Sequence, residues 1–317
     1  MINTSENQFV WVEKYRPRTI NECILPKNFK LTLKSFIKGG QIPHFLFYGT
    51  AGVGKTTVAR ALCDEIGAEY IIINGSEEGR MIDTLRVKIK GFASTVSLTA
   101  AKKVIILDEA DYMTPNIMQP ALRAFIEEFS SNCRFILTCN FKNKIIDPIK
   151  SRCSVVDFKI PTDERVVIAG DFFNRVIEIL DKENVKYDKK VVATLIQKFF
   201  PDFRKTLNEL QRYSVGGTID TGVLVGVSDE SYTKLFKYLK NKEWDKMREW
   251  VDLNSDIDTT NLFSEIFEKC QPAMDKNSIP ELVLILADYQ YKSAFVADAS
   301  INKIAAMTEI MKKCQWK

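Results

Sequence analysis

The stretch "FLFYGTAGVGKTT" (45–57) decides the fold. Its first four residues form a short, continuous apolar run, the mark of a strand buried on both faces. From Lys55 onward, "KTTVARALCDEIGA" places Ala59, Leu62, Cys63 and Ile66 at helical spacing, and Gly67 supplies a C-terminal stop. The loop between strand and helix fits G-x-x-x-x-G-K-[ST] at Gly49, Gly54, Lys55 and Thr56, with Gly52, Val53 and Thr57 completing the cradle. Its glycines let successive backbone N–H groups turn inward around phosphate oxygens, and the helix N-terminus adds free donors and a positive dipole end. Lys55 then reaches the β- and γ-phosphates, and Thr56 holds Mg²⁺. A chance match somewhere in a chain of this length is on the order of one in a hundred, so the alternative of an ordinary glycine-rich turn is set aside.

Working outward, further strand-like runs are "YIIIN" (70–74), "KVIIL" (103–107), "RFILTC" (134–139) and "VVDF" (155–158). Between the third and fourth strands, "PALRAFIEEF" carries Leu122, Phe125, Ile126 and Phe129 on one helical face. Strand, helix, strand in repetition predicts a parallel sheet covered on both faces. Asp108 and Glu109 stand at the C-terminal end of the third strand, where open α/β sheets place their ligands. Asp108 suits a Mg²⁺-binding role and Glu109 that of the base polarising the attacking water. Asn140, at the tip of the next strand, is placed to hydrogen-bond that water or the γ-phosphate; a plain turn-forming Asn is the bland alternative. These residues together predict Mg²⁺-dependent nucleotide hydrolysis.

After Pro161 the strand signal fades. Residues 162–185, 188–200 and 201–215 read as amphipathic helices, "VGGTIDTGV" (215–223) as a connector, and 228–317 as helical again. The expected division is an α/β domain at 1–160, a small helical domain at 161–227 and a second helical domain at 228–317. The 317 residues suit more than one core. A net charge of +4 is too small to imply nucleic acid by itself, so any anionic partner must be met by local clusters. Seven cysteines without a CxxC pair argue against a disulfide framework or a zinc site. The single histidine, His44, makes histidine catalysis a poor fit and a buried structural imidazole the better one. No apolar run is long enough to cross a bilayer, and no signal peptide is recognised, so no membrane partner and an intracellular location are expected.

"WVEKYRP" (11–17), "GTAGVGKTT", "LDEAD", "TCN", "SRC" and "PDFRKTLNELQ" follow one another as in the AAA+ sliding-clamp loaders of the replication factor C type, and the resemblance spans residues 11–215. The small size, "PDFRKT" and the terminal "QWK" resemble the phage branch of that family, which implies the host-cell cytoplasm. The resemblance implies an α/β AAA+ module with a five-stranded parallel sheet, an all-α lid and an all-α collar that oligomerises. It implies ATP and Mg²⁺ as cofactors. It also implies that Val12, Glu13, Lys14, Tyr15 and Arg16 frame the adenine, with Ile24 as a further wall. Arg204 corresponds to the lid arginine that reaches the γ-phosphate of its own subunit. Arg152, in a turn-like segment with no acidic neighbour in sequence, corresponds to the arginine finger that completes the next subunit's site. Arg80, Arg86 and Lys90 match positions that contact primer–template phosphates without reading sequence. Met113, Ile117 and Met118 are expected to be exposed for docking on the sliding clamp, against the alternative that they pack on the chain's own helix. Gln119 and Arg123 fall at positions that couple DNA sensing to the ATPase centres, although Pro120 leaves the start of their helix open. The implied partners are other copies of the chain, a different clamp-loader subunit, the clamp and primed DNA. Another AAA+ replication ATPase, such as a helicase loader, is the rival reading. An RNA helicase is disfavoured because "TCN" stands where those enzymes carry "SAT".

Overall fold

The computed structural model describes residues 9–76, 82–95, 102–220, 229–255 and 257–317. Five strands, β1 Phe45–Tyr48, β2 Glu69–Asn74, β3 Lys103–Asp108, β4 Cys133–Cys139 and β5 Ser154–Asp157, form one parallel sheet in the order β2-β3-β4-β1-β5. Period-2 alternation sorts their side chains onto two covered faces. Leu46, Ile105, Leu107, Phe135 and Leu137 enter one core, with Leu85, Ile89, Leu122 and Phe125 from the helices outside it. Phe45, Phe47, Val104, Ile106 and Ile136 enter the other, with Leu33, Val58 and Leu62. Burial on both faces explains why these strands read as unbroken apolar runs rather than alternating ones.

The helices of this part are α1 Trp11–Lys14, α2 Lys27–Gly39, α3 Lys55–Glu65, α4 Ile82–Ala93, α5 Met118–Glu128 and α6 Asp147–Lys150. α5 begins two residues before Pro120, which therefore lies in the first turn, where its missing N–H has no intrahelical acceptor to lose. α2 was not anticipated, although Phe29, Leu33, Phe36 and Ile37 carry its period; it opens after Pro26 without a side-chain cap. The lid helices follow as α7 Arg165–Lys182, α8 Lys189–Phe199 and α9 Phe203–Ser214. Asp188 and Asp202 cap α8 and α9 by accepting from Lys190 N and Lys205 N. A two-residue parallel pair, β6 Lys186–Tyr187 with β7 Thr218–Ile219, closes the lid.

By their internal contacts the residues fall into two compact units, Met1–Val223 and Leu224–Lys317, so the sheet and the lid belong to one unit. The boundary expected at 227/228 lies outside the described residues. The second unit contains α10 Asp229–Asn241, α11 Trp244–Leu253, α12 Thr259–Cys270, α13 Ile279–Ser293 and α14 Ala299–Lys313. Its core gathers Leu235, Met247, Val251, Leu262, Ile266, Leu282, Met307 and Ile310. Lys303 is 2% exposed there, and its Nζ donates to the carbonyls of Ser255 and Ile257, which satisfies the buried charge.

All seven cysteines are free and buried. His44 is structural: its Nδ1 accepts from Phe135 N at 3.1 Å, and burial, with the nearby Arg134 cation, pushes its pKa down to about 4. Among the described residues, no helix is long and apolar enough to cross a membrane.

Candidate nucleotide site

A single cavity gathers residues from the N-terminal segment, the loop between β1 and α3, the ends of β3 and β4, and the lid helices α7 and α9. The loop backbone makes it possible. Gly52 has φ +76°, and a Cβ there would lie 1.8 Å from Asp202 Oδ1, so only glycine lets the loop pass under the cap of α9. In that close approach Phe203 N donates to Gly52 O at 3.2 Å and locks the loop to the lid. Gly54, with φ +91°, is the N-cap of α3, and the residues that carry this helix's first free N–H groups, Lys55, Thr56 and Thr57, line the cavity.

Lys55 is 9% exposed, and its Nζ donates to Gly49 O, Thr50 O and Asn140 Oδ1 at 2.8–2.9 Å. Burial lowers the pKa of this amine, and the cation has no carboxylate among its hydrogen-bond partners. Such an ammonium is poised for an incoming anion. Thr56 Oγ1 donates to Asp108 Oδ1 at 2.6 Å, and Thr138 Oγ1 donates to the same oxygen at 2.5 Å. Thr138, 1% exposed, also accepts from Glu109 N at 3.1 Å. Glu109 sits at φ 55°, a left-handed conformation uncommon for a residue with a side chain and typical of functional sites. Gly75 makes room for it: a Cβ there would meet Glu109 O at 2.5 Å. Asn140 is held by its backbone, since Asp111 Oδ2 accepts from both Asn140 N and Phe141 N at 3.2 and 3.1 Å.

Among the described residues no three His, Cys, Asp or Glu side chains converge as a metal site. One carboxylate beside one hydroxyl nevertheless suits Mg²⁺, a hard cation that takes few protein ligands; Thr56 and Asp108 would hold it.

Of the residues expected around a nucleotide, Val12, Tyr15, Arg16, Ile24, Gly52, Val53, Gly54, Lys55, Thr56, Thr57 and Arg204 line the cavity, as do Asp108, Glu109 and Asn140. Three stand outside its wall. Gly49 contributes its carbonyl to Lys55, Glu13 pairs with Arg16, and Lys14 Nζ reaches Glu183 on the lid at 2.6 Å. Tyr15 OH donates to the same Glu183 oxygen at 2.5 Å and ties the N-terminal segment to the lid. Residues not anticipated here are Thr138, Glu183 and the α7 side chains Phe172, Arg175 and Ile179. The last three share one helical face at i, i+3 and i+7, the one signal that could have suggested them.

Arg152 does not line this cavity. It meets a carboxylate that sequence proximity concealed: Nε donates to Glu127 Oε1 at 2.7 Å, Nη2 donates to the same oxygen, and Nη1 donates to Pro148 O at 2.7 Å. The expected exposure of Met113 and Met118 is corrected. They are 1% and 2% exposed and pack into the core between sheet and α5. Ile117 alone of the three is exposed, at 61%, and Tyr112 and Phe141 are exposed with it. Gln119 is buried and bridges loops, donating to Met113 O and Lys144 O and accepting from Ile146 N. On α4, Leu85 and Ile89 face the core while Arg86 and Lys90 are exposed; Arg80 lies outside the described residues.

The sheet order, the phosphate loop and the acidic strand end define a P-loop ATPase of AAA+ architecture. Residues 45–161 match the "ATPase family associated with various cellular activities (AAA)", and residues 164–225 match the "Sliding-clamp-loader large subunit, AAA+ ATPase lid domain". The sliding-clamp-loader large subunits of Escherichia phage RB69 and Enterobacteria phage T4 are 36% and 35% identical over the full length of both chains. The replication factor C small subunit of Archaeoglobus fulgidus is 38% identical over 78% of each chain. The Holliday junction branch migration motor RuvB of Thermotoga maritima aligns over 72% of this chain and 80% of its own, with a TM-score of 0.54 at 15% identity, a likeness of fold. The chain belongs to the AAA+ sliding-clamp-loader family.

Proposed function

We propose that this chain is an ATPase subunit of a clamp loader in DNA replication, with a nucleotide site completed by a neighbouring subunit. The observation that carries the reading is the pair of hydroxyl bonds, Thr56 and Thr138, converging on one oxygen of Asp108. They join the phosphate loop, the acidic strand end and the strand bearing Asn140 into one unit at the C-terminal edge of the sheet.

In this reading the loop N–H groups and Lys55 hold the β- and γ-phosphates of ATP, and Tyr15, Val12 and Ile24 enclose the base. Thr56 and Asp108 would hold Mg²⁺, which neutralises charge on the phosphate oxygens when bound. Glu109 polarises the attacking water, Asn140 orients it, and Arg204 enters from the lid. Arg152 serves the γ-phosphate of the adjacent subunit, where a finger of this kind contributes about 10³–10⁵ in rate. The partners are further copies of the chain, a different subunit, the sliding clamp and primer–template DNA. Arg86 and Lys90, with Arg80, contact DNA phosphates, and Ile117 contributes to the clamp surface. The division at 1–160, 161–227 and 228–317 assigns assembly to the last segment. ATP binding draws the subunits into a spiral that opens the clamp and grips primed DNA; hydrolysis releases the closed clamp on the duplex.

The test is ATP turnover by the assembled loader with and without clamp and primed DNA, beside a strand-separation assay. The reading requires stimulation by clamp and primed DNA together and no unwinding. Unwinding without any response to the clamp would overturn it.

A further inference from the structure

We propose that Glu127 is a positioning residue for Arg152: it holds the guanidinium pre-oriented for the neighbouring subunit's phosphate. The proposal rests on the in-trans reading of Arg152 given above. The backbone beneath Arg152 is fixed on both sides. Ile149 and Cys153 are buried, Arg152 N donates to Ile149 O at 3.0 Å, and Ser154 N donates to His44 O at 2.7 Å. A long side chain on such a base still has freedom at every χ angle. Here three of its nitrogens are engaged: Nε and Nη2 on Glu127 Oε1, and Nη1 on Pro148 O. Nη1 also donates to Ser151 Oγ at 3.4 Å, so of the five N–H donors of a guanidinium one, on Nη2, stays free for a phosphate.

Glu127 is itself well placed to act as a splint. It lies on the outer face of α5, whose inner face, through Leu122, Phe125 and Ile126, is buried against the sheet. The ion pair is partly exposed, with side chains 33% and 47% accessible. A pair at that exposure is weak, so it neither locks the arginine away nor competes seriously with a phosphate. Its consequence is geometric: a pair this weak biases the arginine's rotamers toward the finger orientation, ahead of assembly, by at most about fivefold.

The experiment compares Glu127→Ala, Glu127→Gln, Arg152→Ala and the double variant Glu127→Ala/Arg152→Ala in the assembled loader with clamp and primed DNA. Readouts are kcat, KM for ATP, and ATP affinity of the full chain alone. The expected result for Glu127→Ala is a kcat about 2- to 5-fold lower, with ATP affinity unchanged because Arg152 lies outside the chain's own cavity. Glu127→Gln keeps an acceptor for the guanidinium and recovers part of the rate. The double variant is no slower than Arg152→Ala alone. Full turnover by Glu127→Ala with a slow Arg152→Ala refutes the role of Glu127 and leaves the finger standing. Faster turnover by Glu127→Gln marks a restraining latch and overturns the proposal, as does an additive double variant. Full turnover by Arg152→Ala removes the in-trans reading and the proposal with it.

Discussion

Replacing Thr138 by Val removes one hydroxyl from the centre of the site and almost nothing else. The side chains have the same shape, and position 138 is 1% exposed, so no water replaces the lost group. Two bonds disappear. One is a donation to the Asp108 carboxylate at 2.5 Å, the other an acceptance from Glu109 N at 3.1 Å. A hydrogen bond to a charged group is worth about 1.5–3 kcal/mol, and an orphaned buried N–H costs about 1–3 kcal/mol. Asp108 keeps Thr56 as a donor, which places the sum in the lower half of the combined range, about 2.5–4 kcal/mol. The kinetic effect arises separately. Glu109 is held in a left-handed conformation that costs about 1–3 kcal/mol unless its surroundings impose it. With its N–H released, the carboxylate drifts from the position that the proposed base role requires, and turnover is expected to fall about 10- to 100-fold. Urea unfolding of the nucleotide-free chain measures the first effect and steady-state ATP hydrolysis by the assembled loader the second. Thr138→Ser, which keeps the hydroxyl, is expected to retain most of both. A Val variant within 0.5 kcal/mol of the parent and equally fast, on the order of mutational error, would refute the reasoning that this hydroxyl organises the acidic strand end.

Gly52→Ala puts a methyl group onto the Asp202 carboxylate at a φ of +76°, and is expected to destabilise the chain by about 2 kcal/mol or more and to weaken ATP binding at least tenfold, read by unfolding and fluorescent-nucleotide titration. His44 has its folded-state pKa lowered from 6.5 to about 4, so its neutral form is the one the fold favours; that stability is complete above about pH 6.5 and is lost as pH falls toward about 4. Relative to His44→Asn, whose amide oxygen replaces the Nδ1 acceptor, the parent should lose about 1–3 kcal/mol between pH 7 and pH 4.5 in urea melts; a constant difference would contradict this. Met118→Ala should cost about 2–4 kcal/mol as a core truncation, whereas Ile117→Ser should leave stability within about 0.5 kcal/mol and weaken clamp affinity in a pull-down titration.

Much of the sheet was legible because a strand buried on both faces leaves a continuous apolar run, as in "KVIIL" and "RFILTC". The phosphate loop was legible because few residue types tolerate its backbone, and Gly52 shows why: the position has neither space nor a permitted φ for a side chain. Partnerships across sequence were not legible. Arg152 lacked an acidic neighbour in the chain, yet Glu127 stands beside it in space because α5 and the segment after α6 pack on the same side of the sheet. Glu183 was missed for the same reason, lying 168 residues from the Tyr15 hydroxyl it accepts from. Met113 and Met118 were misplaced because an apolar residue in a loop reads equally as docking surface or as core. Their burial follows from the tight turn Ala110–Tyr112, which turns the chain back under α5. Thr138 was overlooked because a β-branched residue inside a strand needs no explanation beyond packing.

The split site is tested most directly by mixing two disabled chains. Lys55→Ala lacks the cradle but keeps the finger; Arg152→Ala lacks the finger but keeps the cradle. Each assembly alone should hydrolyse ATP at a small fraction of the parent rate, on the order of 10⁻³ or less. Assembled together, Arg152→Ala chains receive the missing cation from Lys55→Ala neighbours, and ATP turnover should return to a substantial fraction of the parent rate. A mixture no faster than the sum of its two components would contradict the account.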